Sequence, residues 1–441
     1  MILKIAHSKK KFDVNLESLR GFAALFVVFQ HLFDTFNNWL DSNYQLRNIL
    51  DYHFPGHFSV LLFFVLSGYV IGVSHKERLT GSHIGMYLKK RWVRLYPIYL
   101  VCVLLTLLVA YKPYSVISIF GHLTFTQVLF TPVFNENTAL WSLNFEVLFY
   151  LLFIPVSYCK INPVLITGIV FGIGITNQFL FSSLHTPLIS TYAYGFTFWL
   201  FGLIIARYFT LKETDVSYSQ LLGSVFLILA FGGGIFDVLV RLFDTVNQFF
   251  HYRFSFPGSV NWYNQAITFY DFSLLPYCLL FIVIFAEKKF AYKNVIAASL
   301  LLLPLLAVPH IIKSHIVKYE LIVPAVCYLV SLFLFTLKIN FLDLVSRKII
   351  AFGSWIGGLS YGLYVIHLPV LFAFSRINIF SGYLSTYVLR VVLYFTVIIV
   401  LSFLLEKRLQ KGIKNFFFKK RDVSLQPHVN FGSLTKKQNQ T

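Results

Sequence analysis

Long apolar stretches separated by short polar or basic segments dominate the chain, a pattern typical of integral membrane proteins. About 20 apolar residues suffice for a helix to cross the hydrocarbon core of a bilayer. About twelve such stretches occur, although several are short or interrupted by Gly and Pro, so ten or eleven spans remain an alternative. The predicted spans lie near residues 19–38, 58–75, 96–111, 140–158, 163–181, 192–210, 218–239, 268–286, 293–310, 320–337, 357–376 and 384–406.

Composition and charge support this topology. The chain is 57% hydrophobic and 12% charged, about half the charged fraction of a soluble domain. With the N-terminus inside, seven of the 37 Lys and Arg residues fall in outside segments, one lies in the last span, and the other 29 are cytoplasmic. This bias predicts a multi-pass membrane protein with both termini in the cytoplasm. The net charge of +19 then reflects topology and contacts with membrane lipids, so we do not expect nucleic acid as a partner.

Two ionisable side chains of the first predicted span share a helical face. Arg20 and His31 are eleven residues apart in RGFAALFVVFQH, so they fall on nearly the same helical face, roughly 16 Å apart along the axis. Ionisable groups at this depth are functional candidates by default, because they are costly unless they line a polar cavity. The structural alternative is an arginine that reaches the headgroups and a buried histidine bonded to a neighbouring helix.

Two segments near the predicted cytoplasmic face are strongly basic. Residues 83–97, HIGMYLKKRWVRLYP, mix apolar and basic positions, which predicts an amphipathic surface helix that ends before Pro97. The end of the chain is first basic and then polar. We therefore divide the chain into an integral membrane domain, residues 1–410, and a cytoplasmic tail, residues 411–441, which is too short for another folded domain.

Five local patterns occur in an order that resembles the membrane-bound acyltransferase 3 family. They are LRGFAALFVVFQH (residues 19–31), FFVLSGYVIG (63–72), RWVRLYPIY (91–99), WSLNFEVLFY (141–150) and LSYGLYVIHLPV (359–370). Glu406, at the end of the last span, resembles the terminal acidic position of the family, although the proline that usually follows is absent. The resemblance therefore extends from about residue 15 to residue 410.

The resemblance implies an all-α polytopic enzyme with 10–12 transmembrane helices around a central polar pore. Such an enzyme transfers an acyl group, usually acetyl, from cytoplasmic acyl-CoA to a hydroxyl on the other side of the membrane. The implied acceptors are carbohydrates or lipid-linked glycans, as in surface polysaccharide, lipopolysaccharide O-antigen or exopolysaccharide. Acyl-CoA is the donor substrate, and no permanently bound cofactor is implied. The four cysteines stand singly in apolar segments, so we expect no metal site.

The resemblance also makes His31, Glu146 and Arg20 candidate catalytic residues. His31 would remove the hydroxyl proton, because imidazole titrates near neutral pH. Glu146 lies about one turn inside the fourth span, antiparallel to the first, so it could pair with His31 or bond the acceptor hydroxyl. The planar guanidinium of Arg20 suits a phosphate, a thioester carbonyl or a carboxylate. Asp34, three residues after His31, could orient its ring.

Further candidates lie in the remaining patterns. Arg91 and Arg94 would bind the CoA phosphates, because they are three residues apart on one helical face; the alternative is binding to lipid headgroups. Ser67 precedes a glycine, a small pair that favours close helix packing over a nucleophilic serine. Tyr361, Tyr364 and His367 recur every three residues on one face that could line the acyl channel or the acceptor pocket, unless His367 only satisfies the break in helical hydrogen bonding near the following proline.

A transporter or flippase for a lipid-linked glycan is the alternative function. It would also have about twelve spans, but repeats related between its two halves and helices broken at matching positions are expected. We find no convincing internal repeat in the sequence. The enzyme is therefore the favoured hypothesis, and transfer of label from acetyl-CoA to a glycan separates the two.

Overall fold

The computed structural model describes residues 2–35, 52–180, 187–211, 216–234, 238–242, 266–309, 321–337, 339–377 and 383–418. Within these ranges the chain is helical, and its only β-type pairing is an isolated bridge. In chain order the α-helices are α1 (Ile2–Thr35), α2 (Gly56–Ser74), α3 (Ser82–Val109), α4 (Val116–Leu123), α5 (Trp141–Tyr158), α6 (Pro163–Leu180), α7 (Pro187–Tyr208), α8 (Tyr218–Ala230), α9 (Leu275–Phe285), α10 (Lys293–Leu302), α11 (Ile322–Thr336), α12 (Asn340–Gly357), α13 (Ser360–Ser375), α14 (Leu384–Phe403) and α15 (Gln410–Phe418). A 3₁₀ helix (Asn135–Leu140) leads into α5, and a π-helical turn (Leu404–Leu409) joins α14 to α15.

Six helical segments of the described chain are long and apolar enough to cross a bilayer, or seven if the bent pair α11–α12 forms one span. The six are Val14–Phe33, Gly56–Ser74, Ser82–Val109, Asn135–Tyr158, Leu188–Tyr208 and Leu384–Phe418. Helix α11 lies at the predicted span 320–337, and shorter apolar helices occupy the other five predicted positions: Pro163–Gln178, Tyr218–Ala230, Leu275–Phe285, Lys293–Ala307 and Ser360–Ser375. The prediction of an all-α polytopic membrane protein is confirmed, and each predicted span contains an apolar helix.

The basic segment after α2 differs from its prediction. Helix α3 runs without interruption from Ser82 to Val109 and contains Pro97, so the prediction of a separate surface helix ending before Pro97 is wrong. The helix continues because Tyr87 and Val93, on its basic half, are already buried against the bundle. Prolines are tolerated inside membrane helices where neighbouring groups compensate for the lost hydrogen bond. The basic residues before Pro97 are therefore held on a rigid spanning helix.

Helix α12, which lies between two predicted spans, packs directly on α1. A Cβ atom at Gly357 would lie 1.8 Å from the carbonyl oxygen of Glu17, and one at Gly21 would lie 2.0 Å from the carbonyl oxygen of Gly353. Backbones approach this closely only where glycines face each other. The contact fixes the beginning of the first span, where Glu17 and Arg20 lie.

Helices α2 and α7 form a second close pair. A Cβ atom at Gly68 would lie 1.8 Å from the carbonyl oxygen of Trp199, and one at Gly202 would lie 1.9 Å from that of Val65. Close packing at the Ser67–Gly68 pair is therefore confirmed. It also brings the indole Nε1 of Trp199 within 3.3 Å of the Ser67 hydroxyl, so this packing contact also positions a polar group.

Candidate active site

A polar cavity of about 180 Å³ lies between α1, α2, α3, α5 and α13. Its polar lining consists of Glu17, Arg20, Ser67, Arg91, Arg94, Ser142, Glu146, Tyr150, Ser360, Tyr361 and Tyr364. Four of the five predicted site residues, Arg20, Arg91, Arg94 and Glu146, thus meet in one space. His31 is not among the lining residues. We call the end of the bundle that holds the three arginines the basic end.

Glu146 lies on α5 with its carboxylate held by two hydroxyl groups. It accepts hydrogen bonds from Tyr150, one turn further along the helix, and from Ser67 of α2 at 3.4 Å. The Ser67 hydroxyl is itself 3.1 Å from the Tyr150 hydroxyl. Glu146 forms no hydrogen bond with His31, although antiparallel helices made such a pair conceivable from the sequence. Its hydrogen-bond partners instead face the arginines.

Arg20 and Arg94 belong to a network of charges at the basic end. Arg20 forms an ion pair with Glu17, one turn earlier on α1, with 2.7 Å between Nη1 and Oε1. Arg94 interacts electrostatically with Glu146, Glu406 and Glu17. The carboxylate considered for Arg20 from the sequence is thus that of Glu17. Three arginines and two glutamates line the cavity, which leaves an excess of positive charge.

Arg91 lies over two aromatic faces. Its guanidinium carbon is 5.7 Å from the ring centroid of Tyr87 and 5.5 Å from that of Tyr150, both within range for cation–π contact. Its Nε–H is buried and has no hydrogen-bond partner. Burial and the Arg91 charge both lower the pKa of His75, just beyond the end of α2. The guanidinium of Arg91 is therefore positioned by two aromatic rings and keeps one N–H donor without a partner.

An open groove adjoins the cavity at the basic end. It is lined by Lys90, Arg91, Val93, Arg94, Lys414, Asn415 and Phe418, and Arg91 and Arg94 line the cavity as well. One wall is α15, which is fixed to α3 by a hydrogen bond from Gln410 Nε2 to the Arg94 carbonyl oxygen (2.7 Å) and by one from Lys89 Nζ to the Phe417 carbonyl oxygen (3.1 Å). These lining residues include four cations and no acid, so the groove suits an anion.

Helix α13 closes the other side of the cavity. Its first turn is capped by Glu406, which accepts a hydrogen bond from the Gly362 amide at 3.2 Å; a carboxylate is favourable at a helix N-terminus. The Tyr361 hydroxyl donates to the Leu95 carbonyl oxygen (2.9 Å). The Tyr364 hydroxyl lies 2.6 Å from Ser142 Oγ. Both tyrosines line the cavity, as the channel hypothesis from the sequence requires.

His31 lies beyond the Tyr364 end of the cavity. Its ring centroid is 5.2 Å from that of His367 on α13, and the His367 ring is 6.1 Å from the Tyr364 ring. Along α13, Tyr364 therefore lies between the basic end and His367, at the edge of the cavity next to the pair of imidazoles. The side chain of Asp34, the proposed orienting group, lies outside the described part of the structure.

Sequence reasoning did not find several residues of this site. Glu17 and Tyr150 lie three residues before Arg20 and four after Glu146, and the helical spacing rule applied at these positions identifies both as neighbours. Lys414 lies in the segment predicted as a basic and polar cytoplasmic tail. The aromatic residues next to it, in KNFFFKK, were the available sign that this segment packs against the protein.

The fold and this site define a polytopic α-helical membrane protein with a charged cavity at one end of its helix bundle. The chain belongs to the acyltransferase 3 family: the family's model, described as an acyltransferase domain, matches residues 13–302. The resemblance inferred from the five patterns is therefore confirmed. The match includes Arg20, His31, Arg91, Arg94 and Glu146, whereas α13 and α15 lie beyond it.

Two curated relatives are similar to the chain. "Protein 2 in picA locus" from Rhizobium radiobacter is 36% identical over 98 residues, which are 22% of this chain and 44% of that protein. The chain thus spans less than half of that relative. "Putative acetyltransferase ORF330" from Acidianus two-tailed virus is 26% identical over 259 residues, 56% of this chain and 72% of the relative. No solved structure matches the chain. Family and fold identify a multi-pass membrane protein of the acyltransferase 3 family.

Proposed function

We propose that this acyltransferase moves an acetyl group from acetyl-CoA to a hydroxyl of a cell-envelope carbohydrate, in a bacterial inner membrane with its basic end in the cytoplasm. The observation that carries the proposal is the cationic groove that joins the polar cavity through Arg91 and Arg94. A donor with an anionic head and a long neutral arm fits this arrangement. The charge bias of the loops supports the orientation.

The donor end of the site holds the nucleotide of CoA. Guanidinium groups match phosphate oxygens in charge and geometry, so Arg91 and Arg94 bind the phosphates, and Lys414 contributes from α15. Arg20 lies roughly 16 Å along α1 from His31, too far to act on the same carbonyl. We therefore assign Arg20 to donor binding as well.

Glu146 acts on the donor side of the cavity. Its carboxylate lies between the arginines and Tyr364, and the neutral arm of CoA carries amide N–H groups that a carboxylate accepts well. Hydrogen bonding to the acceptor hydroxyl, the other role considered from the sequence, requires the acceptor to pass Tyr364 towards the basic end. The donor role avoids that passage.

The reaction takes place where the arm of CoA meets the acceptor. His31 removes the proton of the acceptor hydroxyl, the oxygen attacks the thioester carbonyl, and the carbon–sulfur bond breaks as the carbon–oxygen bond forms. His31 then gives its proton to the CoA thiolate, so the products are an ester and CoA–SH. Because Tyr364 lies at the edge of the cavity next to the imidazoles, its ring turns aside or the thioester passes beside it.

The test uses membranes from cells that express the chain, incubated with radiolabelled acetyl-CoA. We expect label in the extracted envelope polysaccharide with the wild type and with His83→Ala, whose imidazole is exposed and outside the cavity. His31→Ala at equal membrane abundance should transfer no label. Absence of transfer by the wild type, or undiminished transfer by His31→Ala, contradicts the proposal.

A further inference from the structure

The imidazole of His367 is a buried titratable group next to His31 that has no assigned role in the proposed mechanism. It is fully buried, at 0% exposure. Among the described residues, it provides the only ring or polar contact of His31, with centroids 5.2 Å apart and ring planes inclined by 35°. The structure has no hydrogen bond between the two rings, but imidazoles with centroids at this separation can form one N–H···N hydrogen bond when two ring nitrogens face each other.

The backbone of α13 fixes the tautomer of His367. Its Nδ1 lies 2.7 Å from the carbonyl oxygen of Tyr364 and 3.2 Å from that of Leu363. Carbonyl oxygens only accept, so Nδ1 carries the proton and Nε2 carries the lone pair. This Nε2 is buried without a hydrogen-bond partner. A buried acceptor left unused requires an explanation.

The structural explanation considered from the sequence, that His367 repairs the break at the nearby proline, does not hold. Pro369 has no N–H, so the carbonyl oxygen of Val365 loses its helical donor. That oxygen instead accepts hydrogen bonds from Cys102 Sγ (2.7 Å) and Asn137 Nδ2 (3.0 Å). The carbonyl oxygen left without its helical donor is thus bonded by side chains of α3 and of the 3₁₀ helix before α5, and the His367 side chain does not bond to it.

We propose that His367 is a positioning residue whose Nε2 accepts the N–H of His31, so that the other ring nitrogen of His31 faces the acceptor hydroxyl as the base. When His31 takes the hydroxyl proton, both its nitrogens carry hydrogen, and the His367 lone pair stabilises the imidazolium. The proton then passes from His31 to the CoA thiolate, and His367 itself neither gains nor loses a proton. This inference rests on the proposed acyl transfer.

Two amide variants separate this role from a structural one. In His367→Gln the side-chain oxygen can occupy the position of Nε2 and accept from His31. In His367→Asn the amide reaches only the position of Nδ1, where it keeps the hydrogen bond to the Tyr364 carbonyl oxygen. With labelled acetyl-CoA and envelope polysaccharide in membranes, we expect His367→Gln to retain most of kcat. His367→Asn should lower kcat on the order of 100-fold with an unchanged KM for acetyl-CoA.

A purely structural role predicts the reverse order, because Asn preserves the bond within α13. That order, or an equal loss in both variants, overturns the proposal. A second measurement does not depend on activity. In a chain with its four cysteines replaced by serine, His31→Cys with His367→Cys should be joined by a short bifunctional thiol reagent. His31→Cys with Tyr361→Cys, nearly two turns nearer the basic end, should not.

The two measurements keep the hypotheses apart. If the wild type transfers no label, the proposed function fails, and the crosslinking experiment still tests whether the side chains at positions 31 and 367 are in contact. If the wild type is active but the 31–367 pair is not joined, the positioning role fails while the acyltransferase remains.

Discussion

Donor binding by the groove predicts a graded response to loss of charge. Arg91 and Arg94 are half-buried and line both the cavity and the groove, whereas Lys414 is exposed and lines the groove alone. Lys411, one turn earlier on α15, is exposed and lines neither. Replacing each by glutamine removes one positive charge and keeps a polar side chain.

The size of each effect follows from burial. A hydrogen bond to a charged group is worth about 1.5–3 kcal/mol, so Arg91→Gln and Arg94→Gln should each raise the KM for acetyl-CoA roughly 10- to 150-fold. An exposed ion pair is worth at most about 1 kcal/mol, which limits Lys414→Gln to about a fivefold increase. Lys411→Gln should leave KM unchanged.

The assay measures initial rates of label transfer in membranes, with acetyl-CoA and the polysaccharide acceptor varied in turn. Raising the salt concentration should weaken the contribution of Lys414 more than that of the arginines, because exposed charges are screened most. Arg78→Gln, an exposed arginine outside the cavity and the groove, serves as a further control. Equal increases in KM for donor and acceptor, or an effect of Lys411→Gln equal to that of Arg94→Gln, would refute the reasoning.

Three further predictions concern the cavity walls. Glu146→Gln should raise the KM for acetyl-CoA several-fold, since a neutral acceptor binds an N–H about half as strongly, and should leave the KM for the polysaccharide acceptor unchanged. Steady-state kinetics that show a raised KM for the polysaccharide and an unchanged KM for acetyl-CoA would favour binding of Glu146 to the acceptor hydroxyl. Tyr364→Phe removes the hydroxyl that bonds Ser142 and the Ala139 carbonyl oxygen. Loss of such a bond is worth about 1 kcal/mol, so hydrolysis of acetyl-CoA without acceptor should become about fivefold faster. An unchanged rate of CoA release argues against a barrier at Tyr364. Gly357→Ala places a Cβ atom 1.8 Å from the Glu17 carbonyl oxygen and should destabilise the protein by about 1–3 kcal/mol, which a lower midpoint of thermal unfolding in detergent would show. Gly172→Ala is the control, because a Cβ atom there has nothing within 4 Å, and it should leave the midpoint unchanged.

The sequence predicted the depth of residues in the membrane better than their neighbours. Apolar runs of spanning length and a one-sided charge bias sufficed to place Arg20, Arg91 and Arg94 at one end of the bundle. The same reasoning placed Glu146 at the depth of His31, because their spans are antiparallel, whereas in the structure Glu146 lines the cavity with the arginines. These inferences need only rise per residue and topology, and the structure brings all four side chains into one cavity.

Lateral neighbours depend on helix packing, which a single sequence does not specify. His31 and Glu146 were candidates for a pair because they lie on antiparallel spans. In the structure His31 instead contacts His367 of α13, and the carboxylate of Glu146 accepts hydrogen bonds from Tyr150 and Ser67. Likewise, Pro97 suggested a helix end, but burial of Val93 and Leu95 against the bundle carries α3 through it.

The arrangement separates the charged and uncharged parts of the proposed chemistry. Carrying the anionic nucleotide of CoA into hydrocarbon would be costly, and the cations that line the cavity and the groove lie at the basic end. Beyond Tyr364 the described site offers two imidazoles, groups that can be neutral near physiological pH and still move a proton. Only the thioester end of the CoA arm therefore has to pass Tyr364. A fixed partner for His31 matters most in such a place, because the two nitrogens of its ring must do different tasks.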